Sequence, residues 1–270
     1  MTIFPSSHHL NFAVEAHLPI GVRHQYPLLP WQIFWYPKLA STNQTLWDHL
    51  CQGAAEGTAI VAGQQTAGRG QWGRQWQSNT GGLYLSLGLT PHTAADRTPQ
   101  LTLSSAWGIA SILRQAGVPA ALKWPNDLVL YGGKLGGILT QTRIANGKIV
   151  QAVVGVGINW SNPVPEPGIS LAACWSQTSW RPIDSLEQLM AATLVGLSEG
   201  YQRWRSGEVH ALVADYESLL IHLGETVAIN GRDATVAGVT LGGQLRVRWC
   251  DGSPAAETYL HPGEVSLGYA

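Results

Sequence analysis

The chain has 270 residues, 45% hydrophobic and 12% charged, with a formal net charge of −1. That length buries a sizeable core without metal or disulfide support, in one large domain or in a large one with a small companion. A charge so near zero provides no field for gathering nucleic acid, and no apolar run or basic-then-apolar leader points to a membrane, so a cytoplasmic protein is expected.

Cys51, Cys174 and Cys250 are odd in number, far apart and outside any C-x-x-C pair. They read as buried thiols in a reducing compartment, not as a disulfide scaffold or a zinc site. Residues 1–30 carry four prolines among scattered histidines, which breaks helical and strand periods alike, so this stretch reads as an irregular extension. The pair His8-His9 lacks further ligands at fixed spacing and reads as part of a solvated tail; no metal-ligand set is identified.

In chain order, Ile33–Tyr36 predicts a first strand, and Ser41 with Gln44 three residues on predicts a capping box opening a helix toward Gly53. Thr58–Gln64 is strand-like, and Leu83–Leu87 is another strand after an aperiodic Gly/Arg/Trp-rich segment, Gln65–Gly82. Thr98-Pro99 looks like a cap with proline in the first turn of a helix running to Gly117 with Leu101, Ile109, Ile112 and Leu113 on its apolar face. Strands follow at Ala121–Trp124, Leu128–Tyr131 and Leu135–Ile144, and Asn146-Gly147 turns the last of these into Ile149–Ile158.

This order predicts an α+β fold, a mixed or antiparallel β-sheet packed with helices on one face. Ile183, Leu186, Leu189, Met190, Leu194 and Leu197 mark a further helix, and another is expected over Glu208–Leu223 with His210 and His222 on its surface. From Glu225 short apolar runs are divided by Asn230-Gly231, Gly242-Gly243 and Asp251-Gly252, the pattern of a small β-barrel. The expected organisation is therefore an extension over 1–30, a main domain over 31–223 and a small one over 224–270.

Three segments carry chemistry. Gly68 to Trp76 combines glycine, arginine and tryptophan, which suits wrapping a flat, partly apolar ligand bearing a phosphate, although taken alone it reads better as an ordinary surface loop. It matches neither the phosphate-loop pattern nor the dinucleotide fingerprint. Lys134 is one of four lysines in the chain and is enclosed by Gly132, Gly133, Gly136 and Gly137, where its point charge can neutralise a phosphate and polarise an acyl carbonyl. Gly155 and Gly157 clear space at the end of an apolar strand that finishes on Asn159; a bulge or strand-end turn explains those glycines as well.

In order and spacing, Ser41-Thr42-Asn43-Gln44, Gln65-Thr66-Ala67-Gly68-Arg69-Gly70, Lys123-Trp124-Pro125-Asn126-Asp127, Gly133 to Leu139 and Gly155 to Asn159 closely resemble the biotin protein ligase family. The resemblance spans about 120 residues and continues more loosely into the C-terminal part. It implies a mixed-sheet catalytic domain followed by an SH3-like domain. It also implies two reactions: biotin attacks the α-phosphate of ATP, with Mg2+ present, and a lysine of a biotin carboxyl carrier protein then displaces AMP from biotinyl-5′-AMP. By the same resemblance Ser41, Thr42, Gln65, Gly68, Arg69, Lys134 and Gly137 would bind biotin. Gln71, Arg74, Trp76, Asn126, Gly155, Gly157 and Asn159 would border the adenylate, with Lys134, Arg69 and Asp127 catalytic.

Two departures stand out. Members of the family commonly carry arginine where this chain has Gln71, which removes one cation from the adenylate site. Its bifunctional members carry an N-terminal helix-turn-helix, for which residues 1–30 are too short and proline-rich, so a ligase without a DNA-binding domain is expected. The alternatives are a lipoate ligase or octanoyl transferase relative, against which Lys123–Asp127 counts, and a non-catalytic biotin sensor, against which Lys134 and Asp127 count. The sequence leaves the oligomeric state, a homodimer included, and the identity of the carriers open.

Overall fold

Seven segments read as strands join a two-residue one to form an eight-stranded sheet. The computed structural model describes residues 12–175, 181–250 and 257–269, so His8-His9 and Asp251-Gly252 lie outside the described residues. The strands are β1 (Gln32–Tyr36), β2 (Thr58–Ala62), β3 (Leu83–Leu89), β4 (Thr93–Ala94), β5 (Ala121–Lys123), β6 (Asp127–Leu130), β7 (Gly133–Ala145) and β8 (Lys148–Ile158). Their order is β1-β2-β3-β8-β7-β6-β5, with β4 on the end of β8. Only β1 and β2 run parallel, and the remaining pairs are antiparallel, so the sheet is mixed. The long β7–β8 hairpin closes through Asn146 and Gly147 at φ 51° and 71°, the left-handed pair a tight two-residue turn requires.

The helices are α1 (Thr42–Cys51), α2 (Thr98–Gln115), the single turn α3 (Leu171–Cys174), α4 (Leu186–Arg205) and α5 (Val209–Glu217). The packing of α2 and α4 on the sheet forms the main core, where Leu101, Ile109, Leu113, Leu189, Leu194 and Leu197 are buried. Fully burying a side chain of this size contributes about 1.5–3 kcal/mol. A side chain at Gly108 would collide with the Gly196 carbonyl, so these two helices meet at backbone contact.

Helices do not lie on one face alone. Leu46 and Leu50 of α1 pack on Ile60 and Val153, a separate cluster on the opposite side of the sheet. Alternation explains it: Ala59 and Val61 enter the main core while Ile60 points the other way. Helix α1 starts where expected, but without a capping box, since the Ser41 side chain makes no cap bond and Gln44 bonds Asp48 instead. Helix α2 likewise has no side-chain cap: Arg97 occupies the N-cap position without a capping bond, and the Thr98 hydroxyl donates to Ala95.

The expected helix over Glu208–Leu223 stops at Glu217. The chain then pairs with β5 instead: Leu122 N–H donates to Leu219 (2.8 Å) and Ile221 N–H to Leu122 (2.9 Å). That pairing carries His222 into a buried position, whereas His210 is exposed as anticipated. The cysteines also differ from expectation, Cys51 and Cys250 being exposed and Cys174 partly so; all three are free thiols.

Residues 12–30 are irregular apart from one short turn, yet they are docked. Glu199, buried on α4, accepts the backbone N–H of Gln25 (2.9 Å) and Tyr26 (2.8 Å). At the other end of the chain, β9 (Thr226–Ile229), β10 (Arg232–Val239), β11 (Leu245–Trp249) and β12 (Thr258–Leu260) form a four-stranded antiparallel sheet in the order β12-β11-β10-β9. This is consistent with a small SH3-like unit; no closure between its edge strands is seen among the described residues. Trp124 Nε1 donates to the Gly243 carbonyl (2.9 Å) and Gln100 Nε2 to that of Leu241 (2.8 Å), tying the β10–β11 turn to the main body.

Candidate active site

A cavity of about 600 Å³ opens on the α1 side of the large sheet. Its floor is made by β7 and β8, where Gly137 pairs with Gly157 and Leu139 with Gly155. These glycines leave room that neighbours use: a side chain at Gly155 would overlap Asn43, and one at Gly157 the Trp76 indole. Bare backbone here is a packing requirement of the site walls, and Trp76 Nε1 is buried over it with no hydrogen-bond partner among the described residues.

One irregularity of the sheet aims the principal cation. Between β6 and β7 the register shifts so that Leu128 faces Gly136 but Val129 faces Lys134, leaving Leu135 as an extra residue. Without that bulge, alternation would point Lys134 away from the side that Gly137 faces. With it, Leu135 turns into the core, and the Lys134 side chain comes over Gly137. Its ammonium reaches Asp127 Oδ1 at 2.7 Å and lies 5.4 Å from the centre of the Trp76 ring.

Asp127 opens β6 with its carboxylate nearly enclosed, and it serves three groups. Oδ1 pairs with Lys134, while Oδ2 lies 3.9 Å from Lys123 Nζ and accepts a hydrogen bond from the Tyr269 hydroxyl. Burial pulls the Lys123 ammonium below the ordinary lysine range, with Asp127 opposing the effect and Lys134 and Arg74 adding to it. Burial, then the charge of Asp127, holds the Tyr269 hydroxyl well above the usual phenol range, so it stays protonated and donates. Asn126 and Asn159 brace the strand that carries Lys134: Asn126 Nδ2 donates to the Ile138 carbonyl (2.8 Å) and Asn159 Nδ2 to that of Lys134 (3.3 Å).

About two residues along β8, roughly 7 Å away, the wall is neutral and polar. Gln65 Oε1 accepts from the Thr42 amide (2.8 Å) and hydroxyl (3.2 Å), and its Nε2 donates to Ser78 (2.8 Å). The Ser86 hydroxyl lies 2.7 Å from Thr42 Oγ1 and 2.6 Å from Asn43 Oδ1, and Asn43 Nδ2 donates to Gln141 (2.9 Å). Ser41, buried at the start of α1, spends no side-chain bond on the helix and faces the cavity.

The Gln65–Gly82 segment folds back as a short two-stranded excursion. Gly70 N–H donates to Arg74 (2.7 Å) and Trp76 N–H to Gly68 (3.0 Å), around a turn at Gln71–Gly73 with Trp72 left-handed at φ 58°. Arg69, Gln71, Arg74 and Trp76 line the cavity, whereas Gly68 is buried inside the loop against Trp76 and Ser78. The other residues that the family resemblance assigns to biotin, the adenylate or catalysis, from Ser41 to Asn159, lie on the cavity wall. Sequence reasoning missed three contributors: the Asn43–Ser86 pair, Lys123 as a charged member of the site, and the segment Gly263–Leu267 with Tyr269 just beyond it. Lys123 was legible as a lysine beside the Asp127 motif, but the C-terminal segment had no local signal.

A mixed sheet with a glycine floor, neutral amides at one place and paired lysines at the next defines an enzyme of the α+β class that handles an anionic small molecule. A sequence profile of the biotin/lipoate A/B protein ligase family matches residues 35–159. The biotin–[acetyl-CoA-carboxylase] ligase of Mycobacterium tuberculosis is 31% identical over 199 residues, 70% of this chain and 71% of that protein. The bifunctional ligase/repressor BirA of Bacillus subtilis is 29% identical over 233 residues, 84% of this chain and 71% of that one. Among solved structures, biotin protein ligase from Aquifex aeolicus in complex with biotin and ATP matches with a TM-score of 0.72 and 26% identity, covering 88% of this chain and 99% of that chain. The chain belongs to the biotin protein ligase family.

Proposed function

We propose that the chain activates biotin with ATP and attaches it to a lysine of a biotin carboxyl carrier protein. The observation that carries this reading is the division of one cavity into a neutral hydrogen-bonding region at Thr42, Asn43 and Gln65 and a cationic one at Lys134. A ureido group needs donors and acceptors without charge, whereas a carboxylate attacking a phosphate needs cations where negative charge accumulates. The spacing along β8 suits a ligand with both features.

In the first step a biotin carboxylate oxygen attacks the α-phosphorus of ATP and pyrophosphate leaves. Lys134, oriented by Asp127, offsets the charge of the two approaching anions, and Arg69 and Arg74 extend that field from the loop. In the second step the carrier amine attacks the acyl carbon and AMP leaves; no side-chain nucleophile takes part. Trp76, and Trp72 at the exposed tip of the loop, are placed to keep water from the acyl adenylate. Because their amides already hold β7, Asn126 and Asn159 border the adenine mainly by shape and by their remaining acceptor capacity.

Magnesium would enter as the counterion of ATP and would offset phosphate charge; of the carboxylates on the wall, Asp127 is already engaged by Lys134 and Tyr269, which leaves Glu166 and Glu264 as the residues that would approach it. A cytoplasmic setting is part of the same reading and rests on the three free thiols. The test is incubation with biotin, ATP and a purified carrier domain, read by intact mass. A single biotin adduct on the carrier that requires both biotin and ATP supports the proposal, and a carrier of unchanged mass rejects it.

A further inference from the structure

We propose that Tyr269 is a positioning residue for adenylate formation: its hydroxyl fixes Asp127 so that the carboxylate stays committed to Lys134. This rests on the functional reading above. Tyr269 lies 142 residues from Asp127 in sequence and comes from the segment that follows β12. Its hydroxyl donates to Asp127 Oδ2, and its ring face sits 3.8 Å from Lys123 Nζ.

The arrangement settles a competition. Two lysines flank one buried carboxylate, yet Lys134 is at 2.7 Å from Oδ1 while Lys123 stays at 3.9 Å from Oδ2. A neutral phenol on Oδ2 satisfies that oxygen without adding charge, and the ring gives the Lys123 ammonium a second electrostatic partner. Removing the hydroxyl would leave Oδ2 open to Lys123. The carboxylate would then turn between two cations, and Lys134 would lose the fixed direction that brings its charge to the phosphate. Preorganisation of this kind acts on the chemical step, because the catalytic cation must be in place before charge develops.

Tyr269→Phe keeps the ring and deletes one oxygen. Losing one hydrogen bond to a charged group should lower kcat for biotin-dependent pyrophosphate release by roughly tenfold. KM for biotin should stay within about twofold, since the hydroxyl bonds Asp127 and not the Thr42–Gln65 region that the functional reading assigns to the ureido group. Transfer from added biotinyl-5′-AMP to the carrier, which bypasses the first step, should stay within about twofold of wild type. All assays are run at a temperature where both proteins give the same circular dichroism spectrum. An unchanged kcat overturns the inference, and so does equal slowing of adenylation and transfer, which would mean that the hydroxyl merely holds the fold together. If wild type itself releases no pyrophosphate, it is the functional reading that fails.

Discussion

Two walls face the Lys134–Asp127 pair, one built by β6, β7 and β8 and the other by residues 263–269, and they are held in different ways. The first is continuous sheet: residues 127–158 lie in strands paired one to the next, and the Asp127 and Lys134 side chains project from a hydrogen-bonded ladder. The second is loop that follows a separate four-stranded sheet, joined to the body by apolar packing, with Val236, Leu245 and Leu267 buried in the main core cluster, and by long-range side-chain bonds such as Trp124 to Gly243 and Tyr269 to Asp127. Precision in the first wall comes from a continuous backbone ladder; in the second it is borrowed from side-chain packing and a few long-range bonds, with no strand ladder to the large sheet among the described residues. Substitutions in the sheet wall should therefore abolish chemistry, whereas those in the C-terminal wall should tune it.

The largest expected effect is at Lys134. Lys134→Ala removes the cation that the β6–β7 bulge aims over the glycine floor, and should suppress pyrophosphate release by about a hundredfold or more. Near-normal adenylate formation in that variant would remove Lys134 from the chemistry and leave the sheet wall without its distinguishing role.

Next comes Gln71, on the loop that completes the cavity between Arg69 and Arg74. A neutral amide supplies no Coulomb attraction to the adenylate phosphate, and a charged hydrogen bond is typically worth about 1.5–3 kcal/mol. Gln71→Arg should slow biotinyl-5′-AMP dissociation by roughly ten- to a hundredfold, and biotinylation of lysines on a bystander protein should fall with it. Equal release from wild type and variant would show that Arg69 and Arg74 already supply the charge.

The same contrast explains what could be read in the sequence. Lys123–Asp127, Gly133–Leu139 and Gly155–Asn159 are contiguous strings, each open to a bland reading alone, whose order and spacing together resemble the biotin protein ligase family, and all reach one cavity. The bulge at Leu135 left no trace, because one extra residue in a strand looks like any other until its partner is seen. The side of the sheet taken by α1 was hidden too, since Leu46 and Leu50 mark an apolar stripe but not which of two apolar sheet faces it meets. The early end of α5 depends on pairing with Leu122, about a hundred residues away, which outweighs the local helical preference of the segment. Tyr269 was illegible for the same reason: nothing near it in sequence resembles a site.

A smaller effect should come from loosening the attachment of the small sheet that precedes the C-terminal wall. Trp124→Phe removes the indole N–H that satisfies the Gly243 carbonyl in a buried position. Leaving that acceptor unpaired should cost about 1–3 kcal/mol of stability, read as a lower denaturant midpoint at unchanged slope. Full retention of stability would mean that the small sheet does not depend on this bond for its attachment.

The smallest expected effect is a pH dependence at His222, which the pairing of residues 219–221 with Leu122 carries into the body beside the second wall. Burial lowers its pKa below the ordinary histidine range, the nearby Lys123 charge lowers it further, and Glu225 and the Gly268 backbone oppose both. The folded protein thus keeps this ring neutral at a pH where the unfolded chain already binds a proton. Stability is then fully present above the unfolded pKa, near 6.5, and declines as pH falls below it, because the unfolded state takes up more protons. His222→Gln cannot take up that proton in either state. Between pH 7.5 and 5.5 the wild-type melting temperature should fall by roughly 1–2 °C more than that of the variant. Parallel curves would show that His222 titrates alike in both states, and the second wall would then lack the dry, cation-bordered interior that the position of Lys123 implies.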